Sequence, residues 1–209
     1  MPTITGLQST APEVTAVPAC PQEPPELYRF RVDQYEQMGR AGILTEDDGV
    51  ELVEGVLYRK PMKKGAHSIA AREAAAALGR VIPAESHFVT REDPVRIPGR
   101  ASMPEPDISV VRGRSRDYAE QPEGSDVSLV VDVAEKSLIF DRTQNLTTYA
   151  GGGIPVYWII NLIDRQVEVY SGPSPDGYRS RDVYTPGQDV PIVIDGNLLG
   201  QVAVVELLP

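Results

Sequence analysis

The chain has 209 residues, enough for one sizeable domain with its own core, and 41% of them are apolar, which excludes wholesale disorder. No apolar run approaches the ~20 residues that a membrane-spanning helix needs. A formal net charge of −10 argues against a protein whose main task is tight, non-specific binding of nucleic acid, because phosphate contacts need Lys and Arg.

Residues 1–26 are rich in Pro, Thr, Ala and Glu, and carry Glu13, Glu23 and Glu26 with no basic residue. Such a stretch cannot bury enough apolar surface to offset its ordering entropy, so a disordered Pro-rich tail is predicted. It lacks the basic and apolar regions of a secretory signal, which makes a cytoplasmic location the expectation. The single cysteine, Cys20, lies in this tail and can form no internal disulfide. With no repeat and no second linker in view, 27–209 is predicted to be one domain.

The first element is a short helix over 31–41, RVDQYEQMGRA, ending at Gly42. Residues 50–60, VELVEGVLYRK, alternate apolar and polar about Glu54-Gly55, which signals a hairpin. The Ala-rich run 66–81 has helical spacing and stops before Pro83. Residues 87–97 read as a strand with an irregularity at Pro94. The near-continuous apolar runs 107–111 (DISVV) and 128–134 (SLVVDVA) suggest strands buried on both faces. A helix over 139–150 follows, closed by Gly151-Gly152-Gly153. Strands 156–161 and 166–171 flank an Asp164-Arg165 turn, and short strands punctuated by Pro186-Gly187 and Asp195-Gly196 complete the chain. The sum is α/β: a mixed central sheet flanked by helices, with extra C-terminal strands.

Within that frame, Asp132 stands out. An aspartate between valines in a buried strand costs several kcal/mol unless it is paired or bound to a cation. Asp107 opens the neighbouring strand after the stiff Met103-Pro104-Glu105-Pro106 approach. Two carboxylates at adjacent strand ends suit Mg²⁺ or Mn²⁺. Spacing alone leaves a plainer alternative open, in which Asp107 caps a turn and Asp132 pairs with a basic side chain.

The run from MPEPDISVV through SLVVDVAEKSLIFDRTQNLTTYAGGGIPVYWIINLIDRQVEVYSGP resembles a large bacterial family described as putative restriction endonucleases, within the PD-(D/E)xK nuclease superfamily. The upstream segments FRVDQYEQMGRAGIL, VELVEGVLYRKPM and GAHSIAAREAAAALGRVI resemble the same family in the same order, so the likeness covers about 28–209. It implies a restriction-endonuclease-like core and a Mg²⁺- or Mn²⁺-dependent endonuclease acting on DNA. It also implies that Asp107 and Asp132 bind the metal and that Glu51 assists them. Asp132 stands where the family usually has the longer Glu.

The family pattern breaks at the lysine. Two residues beyond Asp132, where a strand would return to the same face, stands Ala134. The alternative family position, on the following helix, is Asn145. Asparagine can orient a water but brings no charge to a transition state that accumulates negative charge. Lys136 would lie about 13 Å further along an extended strand. Arg142, one helical turn before Asn145, is the nearer candidate. Hence a second functional expectation: a catalytically silent nuclease fold serving as a binding or scaffold module. The acidic composition and the prospect of a homo-oligomer fit that alternative.

Lys60, Lys63, Lys64, His67 and Arg72 form the densest basic stretch, at the start of the Ala-rich helix. Together with Arg142, the members Lys63, Lys64 and His67 are the expected nucleic-acid contacts; the alternatives are a solvated loop for the stretch and a solvent-facing ion pair for Arg142. Tyr157 and Trp158 are expected in the core or at a subunit interface. The glycine triplet follows a helix rather than opening one, so it is no phosphate cradle.

Overall fold

The computed structural model describes residues 26–63 and 65–209. The expected tail, apart from Glu26, and Lys64 lie outside the described residues. Helix α1 (Val32–Arg40) starts where Gln34 accepts the Arg31 backbone N–H at 3.0 Å. Strands β1 (Val50–Val53) and β2 (Val56–Arg59) form the expected hairpin, with both turn residues, Glu54 (φ 50°) and Gly55 (φ 76°), in the left-handed region. A side chain at position 55 would meet Cβ of Arg29 at 2.5 Å, so glycine is required there for space as well as for φ.

A six-stranded mixed sheet forms the centre, in the order β3-β4-β5-β6-β7-β8. Its members are β3 (His87–Thr90), β4 (Ile108–Arg112), β5 (Val127–Ala134), β6 (Val156–Asn161), β7 (Gln166–Ser174) and β8 (Gly177–Tyr184). Only the β5–β6 pair is parallel; the other neighbours are antiparallel. β3 is shorter than the 87–97 strand read from the sequence, because Glu92 turns the backbone to φ 59° just beyond it. β8 extends the central sheet as its edge. The remaining C-terminal strands, β9 (Asp189–Ile194) and β10 (Asn197–Ala203), make a separate hairpin.

Helices cover both faces, as amphipathic elements around a buried sheet must. Helix α2 (Gly65–Val81) presents Ala70, Ala71, Ala74, Ala77 and Leu78 to Val110, Val131, Val133 and Trp158. Its small alanines let it lie close to the sheet. The β9–β10 hairpin and α5 (Val204–Leu207) complete that core. The opposite face is covered by a continuous helical run: α3 (Leu138–Phe140), a π-helical stretch Asp141–Asn145, and α4 (Leu146–Gly151). Leu138 and Tyr149 of this run pack with Val130, Ala134 and Tyr157. Strand parity therefore divides β5. Val131 and Val133 face α2, whereas Val130, Asp132 and Ala134 point to the side of the second helical run. Among the described residues no helix is long and apolar enough to cross a membrane.

Candidate active site

Strand register brings the two aspartates together. Ile108 pairs with Val131, and one step further along that antiparallel ladder sets Asp107 opposite Asp132. Two bonds lock the pair: the Asp107 backbone N–H donates to Oδ1 of Asp132 at 3.2 Å, and the Val133 N–H donates to Oδ2 of Asp107 at 2.8 Å. Both side chains are buried, with each residue 6% exposed. Both residues line a cleft that is also lined by Glu51, Lys63, His67, Glu105, Asp141 and Asn145.

The surroundings of the two carboxyls differ. Burial works against a charge on Asp107, but His67 Nε2 at 3.1 Å, Lys63 Nζ at 2.9 Å and the Val133 N–H overcome it and hold its pKa below the usual range. Asp132 has no such cation. Burial, then the charges of Asp141 and Asp107, push its pKa well above the ordinary aspartate value. The Tyr157 hydroxyl, which donates to Asp132 Oδ2 at 2.9 Å, opposes that rise only in part.

Asp141 and Asn145 come from the π-helical stretch, whose i→i+5 bond runs from the Leu146 N–H to the Asp141 carbonyl. The wide turn aims both side chains at Asp132. Asn145 Nδ2 donates to Asp141 Oδ1 at 3.1 Å and approaches Asp132 Oδ2 at 3.4 Å. Burial raises the Asp141 pKa to about 7. Two oxygens here, Asp141 Oδ2 and Asn145 Oδ1, are buried without a hydrogen-bond partner among the described residues. Orphaned buried oxygens are uncommon and call for an explanation.

The residues expected from sequence fare differently. Asp107, Asp132, Glu51 and Asn145 all line the one cleft. Glu51, on β1, accepts the Glu105 N–H at 3.1 Å, and burial raises its pKa. Lys63 and His67 reach the same cleft but turn inward to Asp107. Arg142 does not join them. It lies on the far side of the helical run and pairs with Glu168 and, at 3.6 Å, with Asp164. Glu168 is fully buried, and its carboxylate holds the guanidinium in this ion pair. Ala134 is wholly buried among apolar neighbours, so its strand position offers no cation.

Sequence reasoning missed three participants. Asp141 was readable as the i−4 neighbour of Asn145, hence on one helix face with it. Glu105, which pairs with Lys60, sits in the rigid approach to Asp107. Tyr157 packs in the core as expected, yet its hydroxyl belongs to the site. A tyrosine inside an apolar strand gives no sign of where its oxygen points.

Among the described residues the cleft carries six carboxyl side chains (Glu51, Glu105, Asp107, Asp132, Glu135 and Asp141) against three lysines (Lys60, Lys63 and Lys136). That balance suits a cation and repels a bare phosphate. Among the described residues no three His, Cys, Asp or Glu side chains converge closely enough to enclose a metal by themselves.

Comparison with known proteins bears on this arrangement. A family model, Uma2, described as putative restriction endonuclease, matches residues 32–197. Among solved structures, a putative nuclease belonging to DUF820 from Anabaena variabilis superposes with a TM-score of 0.64 at 18% identity, covering 85% of this chain and 97% of that one. That likeness shows a shared fold. A search of curated proteins found no match. With most of its length matched by the family model, the chain belongs to the Uma2 family of putative restriction endonucleases.

Proposed function

We propose that this protein is a Mg²⁺- or Mn²⁺-dependent endonuclease that hydrolyses phosphodiester bonds in DNA. The observation that carries this reading is the interlocked Asp107–Asp132 pair, with the unpartnered oxygens of Asp141 and Asn145 beside it. Oxygen donors, buried acids of like charge and orphaned acceptors fit a hard divalent cation. Asp107 and Asp132 would hold it, with Glu51 at the cleft edge. Such an ion, when bound, supplies Lewis acidity toward the phosphate and acidifies a bound water.

The chain's own groups have separate parts. The Val133 and Asp107 backbone N–H groups orient the two carboxyls. Tyr157 fixes the rotamer of Asp132. Asn145 stands where it can accept a hydrogen bond from a water through Oδ1, and Asp141, titrating near neutrality, can take up a proton from it.

A second reading has its own support. Asn145 brings no charge and Ala134 is sealed in the core, so the two positions where the family places a lysine are both neutral. A nuclease fold that binds DNA or a protein without cutting would follow from that.

Nicking of supercoiled plasmid with Mg²⁺ or Mn²⁺, beside Asp107→Ala and Asn145→Lys, separates the two readings. The endonuclease reading expects activity in the wild type and none in Asp107→Ala. Activity only in Asn145→Lys supports the silent fold, and equal nicking by wild type and Asp107→Ala eliminates the endonuclease.

A further inference from the structure

We propose that Lys63, carried by the segment between β2 and α2, is the catalytic cation that serves the scissile phosphate in place of the lysine missing at 134 and 145. This inference rests on the endonuclease reading.

Position supports it first. Lys63 Nζ lies 2.9 Å from Asp107 Oδ1 and 2.9 Å from Glu92 Oε1, so its ammonium is anchored at the mouth of the acidic cleft. An ammonium has three N–H donors. Two are engaged here, and the third remains for a phosphate oxygen. The Lys63 side chain is 32% exposed, which leaves its head open to a ligand entering the cleft.

Elimination supports it next. Lys60 is bound to Glu105, and Arg142 is held by Glu168 outside the cleft. His67, on α2, shares Asp107 with Lys63, but its side chain is only 12% exposed. Lys136 lines the cleft, but the ion pairs of Asp107 among the described residues are with Lys63 and His67. Among the described residues, Lys63 alone combines direct contact with Asp107 and access from solvent.

Chemistry supplies the reason such a group is needed. With six acids facing three lysines, a phosphate entering the cleft meets excess negative charge. The transition state adds more on its non-bridging oxygens, and a positioned cation is among the larger stabilising contributions. Glu92 outside and Asp107 inside act as two guides that fix the Lys63 head at the boundary.

The test compares plasmid cleavage and DNA affinity for wild type, Lys63→Met, Lys63→Arg and the double variant Lys63→Met/Asn145→Lys, with Mn²⁺ binding followed by calorimetry. Lys63→Met is expected to lose about 10²–10³-fold in kcat with KM nearly unchanged. It should bind Mn²⁺ as well as the wild type or better, because a competitor for Asp107 is gone. Lys63→Arg should retain part of the rate, and Asn145→Lys should restore part of it to Lys63→Met. Equal kcat for wild type and Lys63→Met overturns the assignment while leaving the endonuclease reading intact. Loss of Mn²⁺ binding in Lys63→Met also overturns it, since the lysine would then be a scaffold for the acids. An inactive wild type overturns both.

Discussion

Asp107 and Asp132 hold one another through their backbones: the Asp107 N–H reaches the Asp132 carboxyl, and the Val133 N–H beside Asp132 reaches the Asp107 carboxyl. Neither aspartate is therefore a turn cap, and neither is paired to an arginine. The bonds fix both side chains before any ligand arrives, which is the condition for a preorganised site. They also leave a price in stability at Asp132, whose charge is opposed by burial and by two neighbouring acids.

That opposition predicts a stability–activity exchange. Asp132→Asn removes the disfavoured charge and keeps an oxygen for the Asp107 N–H. It should raise the melting temperature at pH 7.5, by the equivalent of about 1–2 kcal/mol, while lowering plasmid nicking more than ~100-fold. Thermal melts and a nicking assay on the same preparation check it. A variant that melts lower would mean that Asp132 is held by a favourable partner.

Tyr157 offers a second check. Its hydroxyl is the neutral donor closest to Asp132 Oδ2, at 2.9 Å. Tyr157→Phe should keep the ring packing against Tyr149 and Tyr170. Losing the hydroxyl should weaken Mn²⁺ binding about 10-fold, in the range expected for groups that orient ligands. Calorimetry with wild type and variant measures the ratio.

Arg142 is expected to matter for stability and not for DNA. Arg142→Ala leaves the fully buried Glu168 with Arg181 as its remaining cation. The fold should lose about 2–3 kcal/mol in a urea titration. DNA affinity, read by fluorescence anisotropy, should stay within about twofold, since a partly buried side chain tied up in an ion pair contributes little to phosphate binding.

Glu168 also sets an acid limit. Burial alone would raise its pKa, but Arg142, Asn161, Tyr170 and Gln166 bring it from 4.5 in an unstructured chain to about 2. A depressed carboxylate stabilises the fold above its unfolded pKa and loses that contribution as pH falls through the folded value. The gap in stability between wild type and Glu168→Gln should be about 2 kcal/mol at pH 6, allowing for screening at the exposed arginine ends. It should shrink between pH 4.5 and pH 2. Chemical denaturation at a series of pH values measures it.

Much of the fold was legible because its signals are local. The hairpin at Glu54-Gly55, the Ala-rich helix and the valine-rich strands follow from short-range pattern and turn chemistry. The acidic pair was legible because Asp132 violates its apolar setting, and buried charges point to function. What could not be read was side-chain direction across elements. Arg142 and Asn145 are three residues apart, yet the π-helical widening sends one to Glu168 and the other to Asp132. Lys63 gave only a basic stretch in sequence. Its contact with Asp107 joins two separate stretches of chain, which no local pattern reveals.

The proposed activity depends on a divalent ion binding between Asp107 and Asp132. Isothermal calorimetry with Mn²⁺ tests it most directly, with the Asp107→Asn/Asp132→Asn double variant alongside the wild type. One saturable site per wild-type chain and no measurable binding to the double variant are expected. Equal binding by both proteins, or none by the wild type, would contradict that proposal.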